Sequence, residues 1–382
     1  MLGRGTVKGM RTVRPLVRLT VVAAGAAVLT ACTSSGEDSS PVVPAPYTTA
    51  GPATANSGAP AATGTPDLDS PETVATGIRT PWGLAFLPDG TALVAERDTG
   101  RVRQVRPGTA PREVYRVPGV AAAGEGGLLG LAVAKDFPAT AAVYAYFTSN
   151  SDNRIVRFTL GSQNPPQVIF SGLRKAGVHN GGRIAFGPDG MLYVGTGDAT
   201  DRPTAQDPDS PNGKILRLTP DGRPAPGNPR PGSPMWTLGH RNVQGLAWTA
   251  DGTMYATEFG QDRFDEINVI VPGRNYGWPA VEGTGDDARY TNPLITWTTD
   301  QASPSGAAIL GRTLYAAALR GQRLWTVPLD GGATRPELAG AYGRLRTVAV
   351  APDGSLWLTT SNTDGRGDPR PGDDRILRFP AR

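Results

Sequence analysis

Residues 182–194 read Gly-Arg-Ile-Ala-Phe-Gly-Pro-Asp-Gly-Met-Leu-Tyr-Val: an apolar strand, a Pro-Asp-Gly turn and a second apolar strand. The same pattern returns at residues 81–94, 244–255 and 348–358, and weaker copies begin at Gly127 and Ser305. Glycine supplies the positive φ that such a tight turn needs, and the aspartate before it tolerates the turn. A unit of strands and Asp-Gly turns that recurs every few dozen residues predicts a β-propeller.

The predicted domain at residues 71–382 is therefore all-β, a six-bladed β-propeller of four-stranded antiparallel blades, with seven blades as the alternative count. A blade takes about 40 to 50 residues, and the copies in the middle of the chain lie further apart than that. This spacing predicts inserted loops, one between Asp198 and Gly213 and another from Gly273 to Asp300. Long insertions in compact domains are often functional, and a propeller gathers its loops at a central mouth.

The N-terminal segment has the pattern of an export signal. Five basic residues lead into an apolar run, Leu19 to Ala31, which is too short to span a bilayer as a mature helix. The run ends at Leu29-Thr-Ala-Cys, which resembles a bacterial lipobox. We predict that residues 1–31 are a lipoprotein signal peptide and that Cys32, the only cysteine, is lipidated. The alternative is an ordinary signal peptide with an incidental cysteine.

Residues 32–70 are rich in Ser, Thr, Pro, Ala and Gly. Such a composition buries too little apolar surface to offset its ordering entropy, so we predict a disordered linker after the lipidated cysteine. The protein is then expected outside the cytoplasm, held at the bacterial cell membrane by its lipid anchor alone.

The basic character of the chain comes from the predicted signal peptide. The whole sequence has 38 Lys+Arg and 34 Asp+Glu. Residues 1–31 hold five basic and no acidic residues, so the rest has 38 − 5 = 33 against 34, a net charge of −1. Without a dominant basic patch, no nucleic-acid partner is indicated. A single cysteine also excludes an internal disulfide framework.

Both histidines of the sequence lie beside repeat copies. His179 occurs in Gly177-Val-His-Asn-Gly-Gly-Arg, just before a repeat strand, and His240 is followed by Arg241 and Asn242 before the next copy. An imidazole there could be a general base near neutral pH, although a lone histidine is more often structural. Arg241 offers a planar fork for a carboxylate or polarised carbonyl, or else closes an ion pair between blades.

Two further patterns suit charged ligands. Asp265-Glu-Ile-Asn, and the bent segment Gly273-Arg-Asn-Tyr-Gly-Trp-Pro that follows it, offer the carboxylates and carbonyls that Ca²⁺ prefers, without the regular aspartate spacing of an EF-hand. Arg344 and Arg346 alternate along a strand, so both guanidiniums could face one anion.

Five motifs in order resemble the soluble quinoprotein glucose/sorbosone dehydrogenases over residues 75–380. They are Gly124-Glu-Gly-Gly-Leu-Leu-Gly-Leu-Ala, His179-Asn-Gly-Gly-Arg-Ile, Asn212-Gly-Lys-Ile-Leu-Arg-Leu, Gly239-His-Arg-Asn-Val-Gln-Gly-Leu, and Asp265-Glu-Ile-Asn with Asn275-Tyr-Gly-Trp-Pro. That family consists of aldose sugar dehydrogenases on a six-bladed propeller that depend on pyrroloquinoline quinone (PQQ). The resemblance implies Ca²⁺ as a second cofactor, an aldose substrate oxidised to its lactone, and an external electron acceptor.

The resemblance also implies residue roles. His179 would take the proton of the anomeric hydroxyl as hydride moves to the PQQ C5 carbonyl, while Arg241 polarises the quinone. The implied cofactor-binding set is Glu125, Arg241, Asn242, Arg344 and Arg346. The implied calcium ligands are the carbonyls of Gly260 and Gln261 at the cofactor, with Glu266 and Tyr276 at a further structural ion. His240 is expected to be structural.

Three positions depart from the family pattern. Glu125 stands where well-known members have Gln, Val178 where they have Asp, and Leu319, with Arg320 beside it, where they have a cofactor-binding Lys. These departures leave the base intact and bear on sugar preference and PQQ affinity. The alternatives are a calcium-dependent propeller lactonase, with its metal at the channel axis, and a non-catalytic binding lipoprotein that fails to bind PQQ because of Leu319.

Overall fold

The computed structural model describes residues 64–382. The predicted signal peptide, Cys32 and most of the predicted linker lie outside the described residues. Within residues 64–382, twenty-four strands form six four-stranded antiparallel sheets. This confirms the predicted six-bladed β-propeller and excludes the count of seven. Within the same residues, no helix is long and apolar enough to cross a membrane.

Each blade is one sheet, and the first strand of the chain, β1 (Glu72–Ala75), belongs to the last blade. Blade 1 contains β2 (Pro81–Phe86), β3 (Ala92–Glu96), β4 (Arg101–Val105) and β5 (Arg112–Arg116). Blade 2 contains β6 (Leu128–Val133), β7 (Ala142–Thr148), β8 (Asn153–Thr159) and β9 (Gln167–Leu173). Blade 3 contains β10 (Ile184–Phe186), β11 (Leu192–Gly195), β12 (Lys214–Leu218) and β13 (Met235–Leu238).

Blade 4 contains β14 (Val243–Trp248), β15 (Met254–Glu258), β16 (Phe264–Ile270) and β17 (Ile295–Thr298). Blade 5 contains β18 (Pro304–Leu310), β19 (Thr313–Ala318), β20 (Arg323–Pro328) and β21 (Arg335–Glu337). Blade 6 contains β22 (Leu345–Val350), β23 (Leu356–Thr360) and β24 (Ile376–Phe379), with β1 as its outermost strand. The helical turns among the described residues are α1 (Phe137–Thr140) and a 3₁₀ turn (Arg202–Ala205).

The ring closes when β1 pairs antiparallel with β24. Glu72 lies opposite Arg378, and their side chains form an ion pair of 2.7 Å. Residues just before β1, which the sequence assigns to the linker, also contact the C-terminal residues: the Asp67 N–H donates to the Pro380 carbonyl at 2.7 Å. Both ends of the domain are thereby held in one blade.

The apolar core is divided among the blade interfaces. Six clusters of buried side chains lie one between each pair of neighbouring blades, including the pair formed by blade 6 and blade 1. Strand residues alternate between the two faces of a sheet, so each blade contributes one face to the cluster before it and one to the cluster after it. Middle strands such as β3 are therefore buried on both faces.

The repeated Asp-Gly turns form as the sequence predicts. Side chains of the four turn aspartates each accept the N–H two residues on, at 3.0 Å. The next residue is a glycine with φ between 77° and 89° in all four turns. These turns are those at Asp89, Asp189, Asp251 and Asp353.

The two predicted insertions lie in neighbouring blades, but the second ends earlier than predicted, because β17 occupies residues 295–298 of the predicted segment 273–300. Residues 196–213 connect β11 to β12, and residues 271–294 connect β16 to β17. The segments that lead into the innermost strands β6, β10, β14, β18 and β22 contribute to the cleft described next.

Candidate active site

The cleft at the mouth of the propeller is the principal concave site near the predicted chemistry. Two cavities of about 250 and 320 Å³ lie there. They share five lining residues, so we describe them as one cleft; the shared residues are Glu125, Phe259, Ser303, Arg320 and Arg366. His179 and Arg241 line the first cavity, and Arg344 and Arg346 line the second.

His179 is held by contacts at its ring and at its main chain. Its Nδ1 lies 2.8 Å from Asp198 Oδ1, and its N–H donates to Glu125 Oε2 at 3.1 Å. The residue has a left-handed φ of 58°. Gly197 permits the close packing here, because a Cβ on it would lie 1.9 Å from the His179 carbonyl oxygen. With Nδ1 engaged, Nε2 is the ring nitrogen left for a ligand in the cleft.

Asp198 is a fully buried carboxylate that orients this imidazole. Its second oxygen accepts the Trp278 Nε1–H at 2.8 Å, and the Thr200 N–H donates to Oδ1 at 2.8 Å. Burial alone would raise the pKa of Asp198, but the bond to His179 and the other donors outweigh burial and hold that pKa below its usual range. In the sequence, Asp198 marks only the start of an insertion, although it follows a buried strand and a Thr-Gly pair.

Arg241 makes no ion pair with a carboxylate among residues 64–382. Its guanidinium donates instead to the Phe259 carbonyl at 3.1 Å and to Gln261 Oε1 at 3.0 and 3.1 Å. It also lies over the Trp278 ring, 5.6 Å from the centroid. Burial lowers the pKa of Arg241. Neutral acceptors thus fix the guanidinium in the cleft while its charge stays uncompensated at short range, so the ion-pair alternative does not apply.

Asn242 carries an unpaired donor. Its Oδ1 accepts the Gly181 N–H at 2.9 Å, whereas its Nδ2 is buried with no hydrogen-bond partner within the described chain. An unsatisfied buried amide costs free energy unless something fills the gap. Asn242 lines neither cavity, and its Nδ2 is a donor available to an acceptor that reaches it beside Arg241.

Arg344 and Arg346 share one carboxylate, as their spacing suggests. Both donate to Asp364 Oδ2, from Arg344 Nε at 3.1 Å and from Arg346 Nη2 at 3.4 Å. Burial lowers the pKa of Arg346 to about 10. For Asp364, burial alone would raise the pKa, but the charges of Arg346 and Arg344 hold it below its usual range. Two guanidiniums with one counter-charge leave a net positive pocket.

Gly260 and Gln261 line the cleft beside Arg241. Their N–H groups donate to Asp265 and Glu282 at 2.9 and 2.7 Å, and neither carbonyl accepts a hydrogen bond from the described chain. These carbonyls are consequently free to coordinate a cation. Glu282 Oε1 also accepts three further N–H groups, those of residues 262–264.

Glu266 and Tyr276 lie instead at a separate, very small cavity of about 10 Å³, which Glu258 and Glu282 also line. Glu266 accepts hydrogen bonds from the Gly283 N–H at 2.7 Å and from Asn268 Nδ2 at 3.0 Å. Burial, and then the charge of Glu258, raise the pKa of Glu266 to about 8. Within residues 64–382, no three His, Cys, Asp or Glu side chains converge as a ready metal cluster.

The Tyr276 hydroxyl is committed to the main chain, donating to the Val269 carbonyl at 2.6 Å and accepting the Val271 N–H at 2.9 Å. Its ring stacks on His240, with centroids 4.8 Å apart. The fully buried His240 lies between Glu258 Oε2 at 2.7 Å and Thr237 Oγ1 at 2.9 Å. These contacts give His240 a structural place below the cleft.

Known proteins are similar to this chain in sequence and fold. The model of the Glucose / Sorbosone dehydrogenase family matches residues 78–377. The chain belongs to the glucose/sorbosone dehydrogenase family. A solved relative is the PQQ-bound form of aldose sugar dehydrogenase from Streptomyces coelicolor, with a TM-score of 0.79 and 52% identity, covering 83% of this chain and 100% of that one.

Two curated relatives agree with this membership of the glucose/sorbosone dehydrogenase family. Aldose sugar dehydrogenase YliI of Escherichia coli (strain K12) is 29% identical over 328 residues, 75% of this chain and 88% of the relative. Quinoprotein glucose dehydrogenase B of Acinetobacter calcoaceticus is 34% identical over 252 residues, 56% of this chain and 53% of the relative.

The three departures from the glucose/sorbosone dehydrogenase pattern all lie at the cleft. Val178 and Glu125 line it, and Glu125 forms an ion pair with Arg366 at 2.5 Å. Leu319 is buried at its floor, while the exposed Arg320 lines both cavities. A basic side chain is therefore available one position after the leucine.

Proposed function

We propose that this chain is a PQQ- and calcium-dependent dehydrogenase that oxidises an aldose at its anomeric carbon to the lactone and passes the electrons to an external acceptor. The observation that carries the proposal is the contact of the buried Asp198 with His179 at a cleft lined by arginines. The glucose/sorbosone dehydrogenase membership and the 52% identical relative solved with PQQ support it.

The donor set of the cleft fits PQQ, a planar quinone with three carboxylates. Arg344 and Arg346 present two guanidiniums against one aspartate, and carboxylates are their natural partners. The unpaired Asn242 Nδ2 and the Arg241 guanidinium would hold the quinone oxygens. Arg320 supplies the basic group that Leu319 lacks. When bound, the quinone would accept the hydride, and the protein would position it.

His179 would act as the general base at Nε2. The proton of the anomeric hydroxyl would pass to Nε2, so that the C1–O bond could become the carbonyl of the lactone while C1 gives up its hydride. Asp198, 2.8 Å from Nδ1, fixes the ring and stabilises the imidazolium that forms. Arg241 would stabilise negative charge that develops at the cofactor side of the cleft.

Calcium would bind at two places. The free carbonyls of Gly260 and Gln261 suit an ion beside the cofactor. A second ion would bind beside Glu266 at the small cavity, where its charge would offset the burial and the charge of Glu258 that raise the pKa of this carboxyl. Because the Tyr276 hydroxyl is already committed, its main-chain oxygen would be the atom that coordinates.

Lipidation at Cys32 and an extracytoplasmic place at the cell membrane belong to the same proposal. They are supported by the lipobox-like Leu29-Thr-Ala-Cys and the basic residues before it. Labelling of the wild-type chain and of Cys32→Ser with an alkyne fatty acid in a bacterial host tests this: label on the wild type alone is expected, and an unlabelled wild type would exclude the anchor.

The central test is a PQQ titration of residues 64–382 with excess Ca²⁺, followed by dye reduction over a panel of aldoses. Saturable binding with sugar-dependent dye bleaching is expected, and His179→Ala should bind PQQ equally but lose turnover. Failure to bind PQQ would favour the binding-protein alternative. Lactone hydrolysis without a quinone would favour the lactonase. Full turnover by His179→Ala would show that the base is another group.

A further inference from the structure

Glu125 and Arg366 form a contact across the mouth of the cleft that the proposed chemistry does not use. Arg366 Nη1 lies 2.5 Å from Glu125 Oε1, although the two residues are 241 positions apart in the chain. Glu125 precedes blade 2, whereas Arg366 lies in the loop between β23 and β24 of blade 6. Both side chains line both cavities of the cleft.

Glu125 is connected to the base as well. Its other oxygen, Oε2, accepts the main-chain N–H of His179 at 3.1 Å, and its own N–H donates to the Gly177 carbonyl at 2.8 Å. One carboxylate therefore holds the peptide that carries the base and the guanidinium opposite it. Glu125 fixes the position of Arg366 relative to His179.

Arg366 is also fixed from its own loop. Its N–H donates to Asp364 Oδ1 at 2.9 Å, and Asp364 is the carboxylate that binds Arg344 and Arg346. Gly367 packs against this cluster, because a Cβ on it would lie 2.9 Å from Arg344 Cδ. The Arg366 backbone is thus anchored while its side chain reaches into the cleft.

The side chain of Arg366 has donors to spare. A guanidinium carries five N–H groups, and within residues 64–382 the Arg366 side chain donates only to Glu125. The side chain is 55% exposed, whereas Glu125 is 17% exposed. Arg320 also reaches both cavities, but of the two only Arg366 is bound to the carboxylate that holds the base.

We propose that Arg366 binds the sugar and sets its specificity: its free N–H groups donate to hydroxyl oxygens of an uncharged aldose whose anomeric hydroxyl lies at His179. Glu125 is the positioning residue, and its charge cancels that of Arg366, so that the pair offers an anionic sugar no net attraction. This inference rests on the proposed dehydrogenase function and names the substrate class of the same site.

The test compares wild type, Arg366→Ala, Arg366→Lys and Glu125→Gln, each loaded with PQQ and Ca²⁺. A lost charge-assisted hydrogen bond should raise KM for neutral aldoses in Arg366→Ala by about tenfold or more. Its kcat and PQQ Kd should stay within about twofold of wild type. The KM of Arg366→Lys for neutral aldoses should lie between those of wild type and Arg366→Ala. Glu125→Gln leaves the guanidinium charge unbalanced. We compare kcat/KM for an aldose that carries a carboxylate with kcat/KM for its neutral parent, and the first divided by the second should rise by about tenfold in this variant.

Arg370→Ala is the matched control, an exposed arginine of the same loop that does not line the cleft. The Arg366 and Arg370 side chains are exposed, and Glu125→Gln keeps an acceptor for the His179 N–H, so all variants should fold and melt alike. A second readout is the equilibrium Kd of a 1-deoxy aldose, which cannot react at C1, measured by calorimetry. Arg366→Ala should raise this Kd as it raises KM.

Three results would overturn the inference. One is an Arg366→Ala variant with the wild-type KM and the wild-type Kd for the 1-deoxy aldose. Another is an unchanged KM with weakened PQQ binding, which would assign Arg366 to the cofactor. A wild-type protein that oxidises no aldose in the panel would remove the proposed function itself, and the inference with it.

Discussion

At the scale of single residues, Asp198 decides which nitrogen of His179 carries the proton. Its carboxylate can only accept, so Nδ1 donates across the 2.8 Å contact and Nε2 keeps its lone pair. In Asp198→Asn the amide can donate to Nδ1, which favours the proton on Nε2 and blocks the base. We expect kcat to fall by about a hundredfold or more. Dye reduction at saturating sugar and PQQ measures it.

Asp201→Asn is the control for this substitution, because Asp201 lies on the same insertion but pairs with the exposed Arg174. Its kcat should match wild type. An Asp198→Asn protein with unchanged kcat and unchanged pH profile would show that the carboxylate does not orient the base.

Asp364 balances the charge of two buried arginines, Arg344 and Arg346. Its substitution by Asn leaves these charges unpaired, which should lower the free energy of unfolding by about 3 kcal/mol. PQQ carboxylates would replace the lost charge, so PQQ should raise the Tm of Asp364→Asn more than that of wild type. Thermal unfolding with and without PQQ measures both; an equal PQQ shift would contradict the assignment of the arginines.

The same aspartate gives a pH dependence of known sign. The folded-state pKa of Asp364 is below its usual range, so the unfolded chain takes up the proton first as the pH falls. The stability from Asp364 is complete above about pH 4 and is lost as the pH falls through the lower, folded value. Asp364→Asn should therefore lose less stability than wild type between about pH 4 and pH 2. If the free energy of unfolding fell equally steeply with pH in both proteins, this prediction would be contradicted.

The sequence predicts some of these site residues and not others. His179, Arg241, Arg344 and Arg346 were found because each lies beside a repeat strand, or at alternate positions of one, which are local signals. Asp198 and Asp364 act through partners 18 to 20 residues away, and Arg366 through one 241 residues away. Those contacts depend on how the blades are arranged around the axis, which no local pattern records.

At the scale of elements, Lys214 anchors the insertion that carries Asp198. It opens β12, is fully buried, and donates to the carbonyls of Thr204, Ala205 and Asn212 at 2.7, 3.0 and 2.8 Å. Lys214→Met would leave the Thr204 and Asn212 carbonyls without a donor, whereas the Ala205 carbonyl would keep the Gly239 N–H. The substitution should destabilise the protein by about 2 kcal/mol. Hydrogen exchange of residues 199–213 should rise, and kcat should fall because Asp198 loses its support.

Lys135→Met provides the comparison, since Lys135 is exposed and makes one contact to the Pro188 carbonyl at 2.9 Å. It should leave hydrogen exchange of residues 199–213 unchanged. If Lys214→Met likewise left exchange in that segment unchanged, the lysine would not be the anchor of the insertion.

The acidic cluster between β15, β16 and the second insertion gives a metal prediction. Glu258, Glu266 and Glu282 line one small cavity, and burial with like charge raises the pKa of Glu266. Treatment with EDTA and desalting should lower the Tm by several degrees and weaken PQQ uptake, and Ca²⁺ should restore both. Glu266→Gln should melt with little response to EDTA. If EDTA changed neither the Tm nor the affinity for PQQ, the calcium prediction would be wrong.

At the scale of the whole molecule, the repeat predicted six blades because four copies contain the full strand–turn–strand signal and two weaker copies continue the series. It did not predict how the ring closes. The closing strand β1 has no Asp-Gly turn, and it precedes the first copy by only a few residues. Its pairing with β24, and the contact of Asp67 with Pro380, join opposite ends of the sequence. Composition assigns the residues before Pro71 to the linker, because no local pattern marks contacts of such long range.

This closure can be tested by truncation. A chain that begins at Gly77 lacks β1, leaves β24 as an open edge and removes Ala75 from the interface of blades 6 and 1. We expect it to melt about 10 °C below a chain that begins at Gly64, and to aggregate more readily through the exposed edge. Calorimetry and light scattering at several protein concentrations measure the two effects.

Glu72→Ala in the longer chain, which removes only the 2.7 Å ion pair with Arg378, should change the Tm little because that pair is exposed. Equal melting of the two truncated chains would mean that the ring is held by its six interface clusters and not by its closing strand.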